Sequence, residues 1–134
     1  MPKLNVLFVE DDYDTVCGTV SAIERLGHDV VLSRSSSSAT KKISEEKFDL
    51  IVMDVRLKDE DTQRGEMDTS GIMIIDRLIS GEFGALNLNT KFVLYTNQKR
   101  SIKQGSIRHH NNFLGIYSKN SYLRFLIKFR NTFG

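Results

Sequence analysis

Short apolar runs alternate with stretches of helical periodicity from one end of the chain to the other. Leu4-Asn5-Val6-Leu7-Phe8-Val9 is a β-rich run too short for a helix, and it stops at Glu10-Asp11-Asp12. From Asp12 the period changes: Val16, Val20, Ile23 and Leu26 recur at the three-to-four spacing of one helix face. Asp12 or Asp14 suits the helix start, and Gly27 its end. Asp29-Val30-Val31-Leu32 reads as a second strand, and Ser35 to Lys47 as a polar helix opened by serines. Phe48 to Met53 predicts a third strand, and Gly71 to Ser80 a helix with Ile72, Ile75 and Leu78 on one face. Lys91 to Thr96 predicts a fourth strand, followed by a short helix within Gln98–Gln104 that Gly105 interrupts. Asn112 to Tyr117 predicts a fifth strand, and Ser121 to Phe129 a last helix.

Five apolar strands separated by helices imply an α/β fold with a parallel sheet covered on both faces. The 134 residues suffice for one domain with a real core, and a 40% hydrophobic share argues against disorder. No apolar run approaches the roughly 18 residues of a membrane span, and the start lacks the pattern of a signal peptide. A single cysteine, Cys17, excludes an internal disulfide and fits a reducing cytoplasm. The formal net charge of +2 hides an asymmetry. Residues 1–90 carry 10 Lys/Arg against 17 Asp/Glu, whereas residues 91–134 carry 9 Lys/Arg and no acid.

In an open α/β sheet, function gathers beyond the carboxyl ends of the strands. Strand one ends in Glu10-Asp11-Asp12, strand three in Asp54, strand four in Thr96-Asn97 and strand five in Ser118-Lys119. Two carboxylates about 5 Å apart repel by roughly 3 kcal/mol at an effective dielectric of about 20. Glu10, Asp11 and Asp54 gathered at one sheet edge therefore call for a cation, and an all-oxygen set suits Mg²⁺. Asp54 then has two uses open to it: a metal ligand, or a nucleophile toward a phosphoryl group. Thr96 is placed to donate a hydrogen bond to a phosphoryl oxygen, and Lys119 to pair with that oxygen or with Asp54. Each residue alone has a bland role, as a cap, a strand residue or a solvated helix start. Their joint placement at four strand ends favours chemistry.

These segments resemble the receiver domain of two-component response regulators. The resemblance lies in Val6 to Asp12, Asp49 to Asp54, Leu94-Tyr95-Thr96 and Tyr117-Ser118-Lys119, with Leu26-Gly27-His28-Asp29-Val30 similar to the family's turn into strand two. It implies a flavodoxin-like (βα)5 three-layer sandwich with strand order 2-1-3-4-5, spanning residues 1–134 as a single receiver domain with an extended loop at about 55–70. It also implies that Asp54 is the phospho-acceptor, taking phosphate from a sensor histidine kinase or phosphotransfer protein. Glu10, Asp11 and Asp54 would form the Mg²⁺ pocket, completed by the backbone carbonyl of Arg56. Thr96 would be the switch hydroxyl and Lys119 the phosphoryl contact. No catalysis on a separate substrate is implied.

Four positions depart from the family pattern. Ile116 stands three before Lys119, where an aromatic is common, and strand alternation prevents Tyr117 from replacing it. Asn97 follows Thr96 where a small residue is usual. Lys58 follows Leu57 where proline is common. Val55 to Ser70 is unusually long and carries Asp59-Glu60-Asp61 and Glu66-Met67-Asp68. Ile116 and Asn97 keep a rival reading open: a pseudo-receiver, a binding module that never turns over phosphate.

Other chemistry finds little support. There is no phosphate-binding Gly-x-x-x-x-Gly-Lys-Ser/Thr and no Gly-x-Gly-x-x-Gly after strand one. Asp12-Tyr13-Asp14 lies too far into the helix for a phosphatase of the haloacid-dehalogenase type. His109-His110 reads as a surface loop, Cys17 as packing, and Tyr122, Phe125, Leu126 and Phe129 as core or interface. The basic segment from strand four through the last helix predicts an acidic protein partner. Nucleic acid is disfavoured because the acidic half would repel its backbone. A homodimer through the same output face is a further expectation.

Overall fold

The computed structural model describes residues 3–55, 57, 70–96, 105–119 and 122–134. The strands are β1 (Asn5–Val9), β2 (Asp29–Ser33), β3 (Leu50–Asp54), β4 (Lys91–Thr96) and β5 (Phe113–Ser118). They form one parallel sheet in the order β2-β1-β3-β4-β5. The helices are α1 (Cys17–Arg25), α2 (Ser36–Glu45), α3 (Ser70–Ile79) and α4 (Leu123–Phe133).

Side-chain alternation divides the core in two. Val6, Phe8, Leu50, Val52, Val93 and Tyr95 face α1 and α4, meeting Val16, Val20, Ile23, Phe125 and Phe129. Leu7, Val9, Ile51, Met53, Phe92 and Leu94 face α2 and α3, meeting Ala39, Ile43, Ile72, Ile75 and Leu78. Because β1, β3 and β4 are covered on both faces, their runs are continuously apolar rather than alternating.

Several local expectations are corrected. Neither Asp12 nor Asp14 caps α1: Tyr13–Thr15 forms a 3-10 turn, and α1 starts after Val16 with no side-chain cap bond. The backbone amide of Asp12 instead donates to Glu10, which draws that segment toward the sheet. The short helix expected within 98–104 lies outside the described residues, as does most of the loop at 55–70. The described part of the β4–β5 connection is a 3-10 turn, Gly105–His109, whose Ile107 caps the core beside α3. Ser35 caps α2 as expected, accepting from the Ser38 amide at 3.1 Å. Gly27 follows α1 with φ 96°, which the chain reversal into β2 requires.

β5 contains a bulge. Phe92 pairs with Phe113 and Leu94 with Ile116, so the single residue Val93 of β4 opposes Leu114 and Gly115 of β5. Gly115 absorbs the extra residue at φ 126°, a conformation closed to most side chains. The bulge resets the alternation, so Ile116 packs on the α2/α3 side and Tyr117 on the α1/α4 side.

At the opposite end of the sheet from the strand carboxyl termini, Asn87 ties two connections together. Its amide nitrogen donates to the carbonyls of Ile43 (2.7 Å) and Glu46 (2.6 Å). Its oxygen accepts from the Phe48 amide and the Thr90 hydroxyl, each at 2.9 Å. Asn87→Ala leaves these buried groups without their partner, and urea unfolding is expected to show a loss of about 2–4 kcal/mol.

Candidate functional site

The site forms where β1, β3, β4 and β5 end together. Parallel pairing fixes this: Val9 is in register with Met53, Asp54 with Tyr95, and Thr96 with Ser118. Each strand's next residues therefore emerge at one edge. Glu10 and Asp54 are buried there, Asp11 is half-buried, and their carboxylate oxygens lie within 4.8 Å of one another. Thr96 is also buried, and its carbonyl accepts the Lys119 amide at 2.9 Å. Lys119 Nζ lies 3.1 Å from Asp54 Oδ1 and pairs more closely with Glu10 Oε1.

Glu10, Asp11, Asp54, Thr96 and Lys119 thus converge as expected. Arg56, Asn97, Lys58 and Asp59-Glu60-Asp61 lie outside the described residues. Ser33, which the sequence offered no reason to single out, accepts the Glu10 amide through its carbonyl at 2.9 Å and so sets the exit of β1.

Glu10 and Asp54 share the Lys119 ammonium, and their burial together sets the electrostatics. Burial pushes the Glu10 carboxyl up to about 8, aided by Asp54, while its contact with Lys119 pulls the other way. Burial alone would push the Lys119 ammonium down. Asp54 and Glu10 outweigh it and hold the group above its ordinary value. The donors are hard oxygens in a crowded, partly buried cluster, which suits Mg²⁺ held by Glu10, Asp11 and Asp54.

One essential residue was visible in the sequence only as a helix opener. A Cβ on Gly71 would lie 1.8 Å from the Asp54 carbonyl oxygen and 3.0 Å from Met53 Cγ. The first turn of α3 is laced to the exit of β3 by the Gly71 amide to the Val55 carbonyl (2.9 Å) and the Leu57 amide to Ser70 Oγ (2.8 Å). Glycine in a helix is unfavourable, so one at the start of α3 signals close backbone approach. Tyr95 was also missed. Its hydroxyl is paired with Thr19 of α1 at 2.8 Å, and its ring packs against Phe8 and Phe125.

Neither a family model nor a curated protein sequence matches the chain. Solved structures do. A CheY-like response regulator receiver domain from Methylobacillus flagellatus superposes with a TM-score of 0.75 at 19% identity, covering 98% of both chains. The chain has the receiver fold. The receiver domain of sensor histidine kinase PA1611 from Pseudomonas aeruginosa PAO1, with a magnesium ion coordinated in its active site cleft, gives 0.73 at 15% identity. That match covers 98% of this chain and 97% of the other. A response regulator from Burkholderia pseudomallei with a phosphorylated aspartic acid, a calcium ion and citrate gives 0.68 at 19% identity, over 94% of this chain and 65% of that one. Within the receiver fold Ile116 takes the α2/α3 side and Tyr117 the other, as strand alternation predicts.

Gly71→Ala is expected to destabilise the protein by about 3 kcal/mol or more, because backbone rather than a flexible side chain must move. Gly18→Ala, in a helix with open space around its Cα, is the control and should be neutral or stabilising by about 0.5–1 kcal/mol. Chemical denaturation of both variants checks the pair.

In metal-free buffer, the raised Glu10 pKa adds stability that is fully present below the ordinary value of 4.5 and lost as pH rises through about 8. Glu10→Gln should therefore show a flatter decline in unfolding free energy than the wild type between those limits. Equal slopes in parallel denaturation series would remove Glu10 as the group responsible.

Proposed function

We propose that this chain is a phospho-acceptor receiver of a two-component phosphorelay, with Asp54 as the acceptor. The observation carrying this reading is the convergence of Asp54, Glu10, Asp11, Thr96 and Lys119 at one sheet edge of a receiver fold. The donor is a phosphohistidine on a sensor kinase or phosphotransfer protein. An Asp54 carboxylate oxygen attacks phosphorus, the histidine N–P bond breaks, and an acyl phosphate forms as the imidazole takes up a proton. Mg²⁺, when bound by Glu10, Asp11 and Asp54, supplies positive charge to the phosphoryl oxygens. Lys119 offers a second cation to the same oxygens and holds Asp54 in place beforehand. Thr96 offers a hydroxyl from the neighbouring strand. Acceptance and loss of phosphate at Asp54 is the whole chemistry, with no separate substrate.

Among the described residues no helix is long and apolar enough to cross a membrane, which accords with a cytoplasmic place of action. The basic segment from β4 through α4 is the docking face in this reading, and its partner is an acidic protein. The aliphatic Ile116 on the α2/α3 side of β5 favours one rival, a pseudo-receiver that keeps the fold without phosphate turnover.

A small acyl phosphate donor and a kinase panel, each with Mg²⁺, should label the wild type and leave Asp54→Asn unlabelled. No label from either donor would establish the pseudo-receiver, and label persisting in Asp54→Asn would move the acceptor elsewhere. Titration of Mg²⁺ followed by NMR should shift amides around Asp11 and Asp54. Unmoved amides there would sink the metal assignment.

A further inference from the structure

Tyr95 is fully buried in the apolar layer between the sheet and helices α1 and α4. Its ring meets Phe8 edge-on at 5.7 Å between centroids and packs against Phe125 at 5.6 Å. Phenylalanine would fill that place without a polar atom. A buried tyrosine hydroxyl needs a partner, and Thr19 of α1, itself buried, supplies one at 2.8 Å. Apolar burial is non-directional, so it leaves a helix some freedom to slide over a sheet. A hydroxyl pair fixes one point of the helix to one point of the strand.

Both ends of this link lead to the acidic site. On the strand, Tyr95 is in register with Asp54, and its carbonyl accepts the Val55 amide at 3.3 Å, which holds the exit of β3. Thr96 is the next residue, and its carbonyl accepts the Lys119 amide. On the helix, α1 follows closely on the segment that begins with Glu10 and Asp11. Local bonds close that segment: the Asp12 amide donates to the Glu10 carboxylate at 3.2 Å, and Thr15 Oγ1 to the Asp12 carbonyl at 2.8 Å. A shift of α1 therefore moves Asp11. Burial pushes the Tyr95 hydroxyl above its ordinary value of 10.0, while the Thr19 bond and the charge of Lys119 pull it back. The hydroxyl is thus within electrostatic reach of the site.

We propose that Tyr95 and Thr19 are positioning residues for the metal and phosphoryl site: their hydroxyl pair locks α1 to β4 and so sets the distance of Asp11 from Asp54 and Thr96. This rests on the phospho-acceptor reading above and adds to it two residues outside the cluster of Glu10, Asp11 and Asp54.

The test uses the full chain and three readouts. These are the Mg²⁺ midpoint from NMR shifts of the Asp11 and Asp54 amides, the rate of Asp54 labelling by a small acyl phosphate across a Mg²⁺ series, and urea unfolding in metal-free buffer. Tyr95→Phe and Thr19→Val each remove one hydroxyl and keep the shape. Each should raise the Mg²⁺ midpoint about fivefold or more. Labelling should slow most at low Mg²⁺ and return toward the wild-type rate at saturation. Thr19→Ser keeps the hydroxyl and should stay close to the wild type.

The double variant separates positioning from stability. Thr19→Val alone strands the Tyr95 hydroxyl in an apolar layer and lowers the urea midpoint. With Tyr95→Phe added, neither hydroxyl of the pair remains, so the urea midpoint should recover most of that loss. The Mg²⁺ midpoint should not recover, and the two single effects on it should fail to add. Mg²⁺ midpoints that stay at the wild-type value, or that merely follow the urea midpoints, overturn the proposal. So do independent losses that multiply in the double variant. A wild type that binds Mg²⁺ and takes no label overturns the phospho-acceptor reading alone, since the Mg²⁺ midpoints still decide the positioning role. A wild type whose amides ignore Mg²⁺ overturns both.

Discussion

Lys119 pairs with two of the carboxylates that the sheet gathers at its edge, Glu10 and Asp54, and the architecture around it serves that pairing. Its Nζ meets Glu10 and Asp54, while its amide is fixed to the Thr96 carbonyl. Among the described residues, Glu10, Asp11 and Asp54 crowd together here, with Glu10 and Asp54 buried away from water. Glu10 answers by holding its proton more tightly. A site that already strains against its own charge is one that a divalent cation or a phosphoryl group with its metal can reorganise.

Precision in this arrangement comes from backbone rather than from side chains. The Ser33 carbonyl holds Glu10 at the exit of β1, and the absent side chain of Gly71 lets α3 close onto Asp54. On the far side, Gly115 allows the bulge that turns Tyr117 toward α4. Tyr95, in register with Asp54, packs on Phe125, and so does Tyr117. Tyr95 and Tyr117 thus lie on the α4 side of the sheet, while Phe92, Phe113 and aliphatic Ile116 face the other way.

Much of this was legible in the order of apolar runs. Strands buried on both faces must be continuously apolar, so β1, β3 and β4 announced themselves, and Lys91–Thr96 was delimited to the residue. Serines before α2 signalled a cap because their hydroxyls compete for free amides. Asp12 and Asp14 carried the same signal, yet neither caps α1, and the Asp12 amide donates to Glu10. The acceptor there is two residues away in sequence, but it is Glu10, which the sheet holds at the exit of β1. Asn87 was silent for a related reason: its four partners come from segments some 40 residues earlier and from Thr90, and no local pattern marks such a hub.

By itself the sequence determined the alternation of strands and helices, the acids, hydroxyl and lysine that follow the strands, and the division into acidic and basic halves. These are properties of neighbours along the chain, where period and composition carry the information. Tertiary structure alone decided how close those groups come, which carboxyl keeps its proton, and why glycine is required at 71 and 115. Those depend on distances between segments far apart in sequence. A missing Cβ or a shared ammonium has meaning only after the strands have brought its neighbours to one edge.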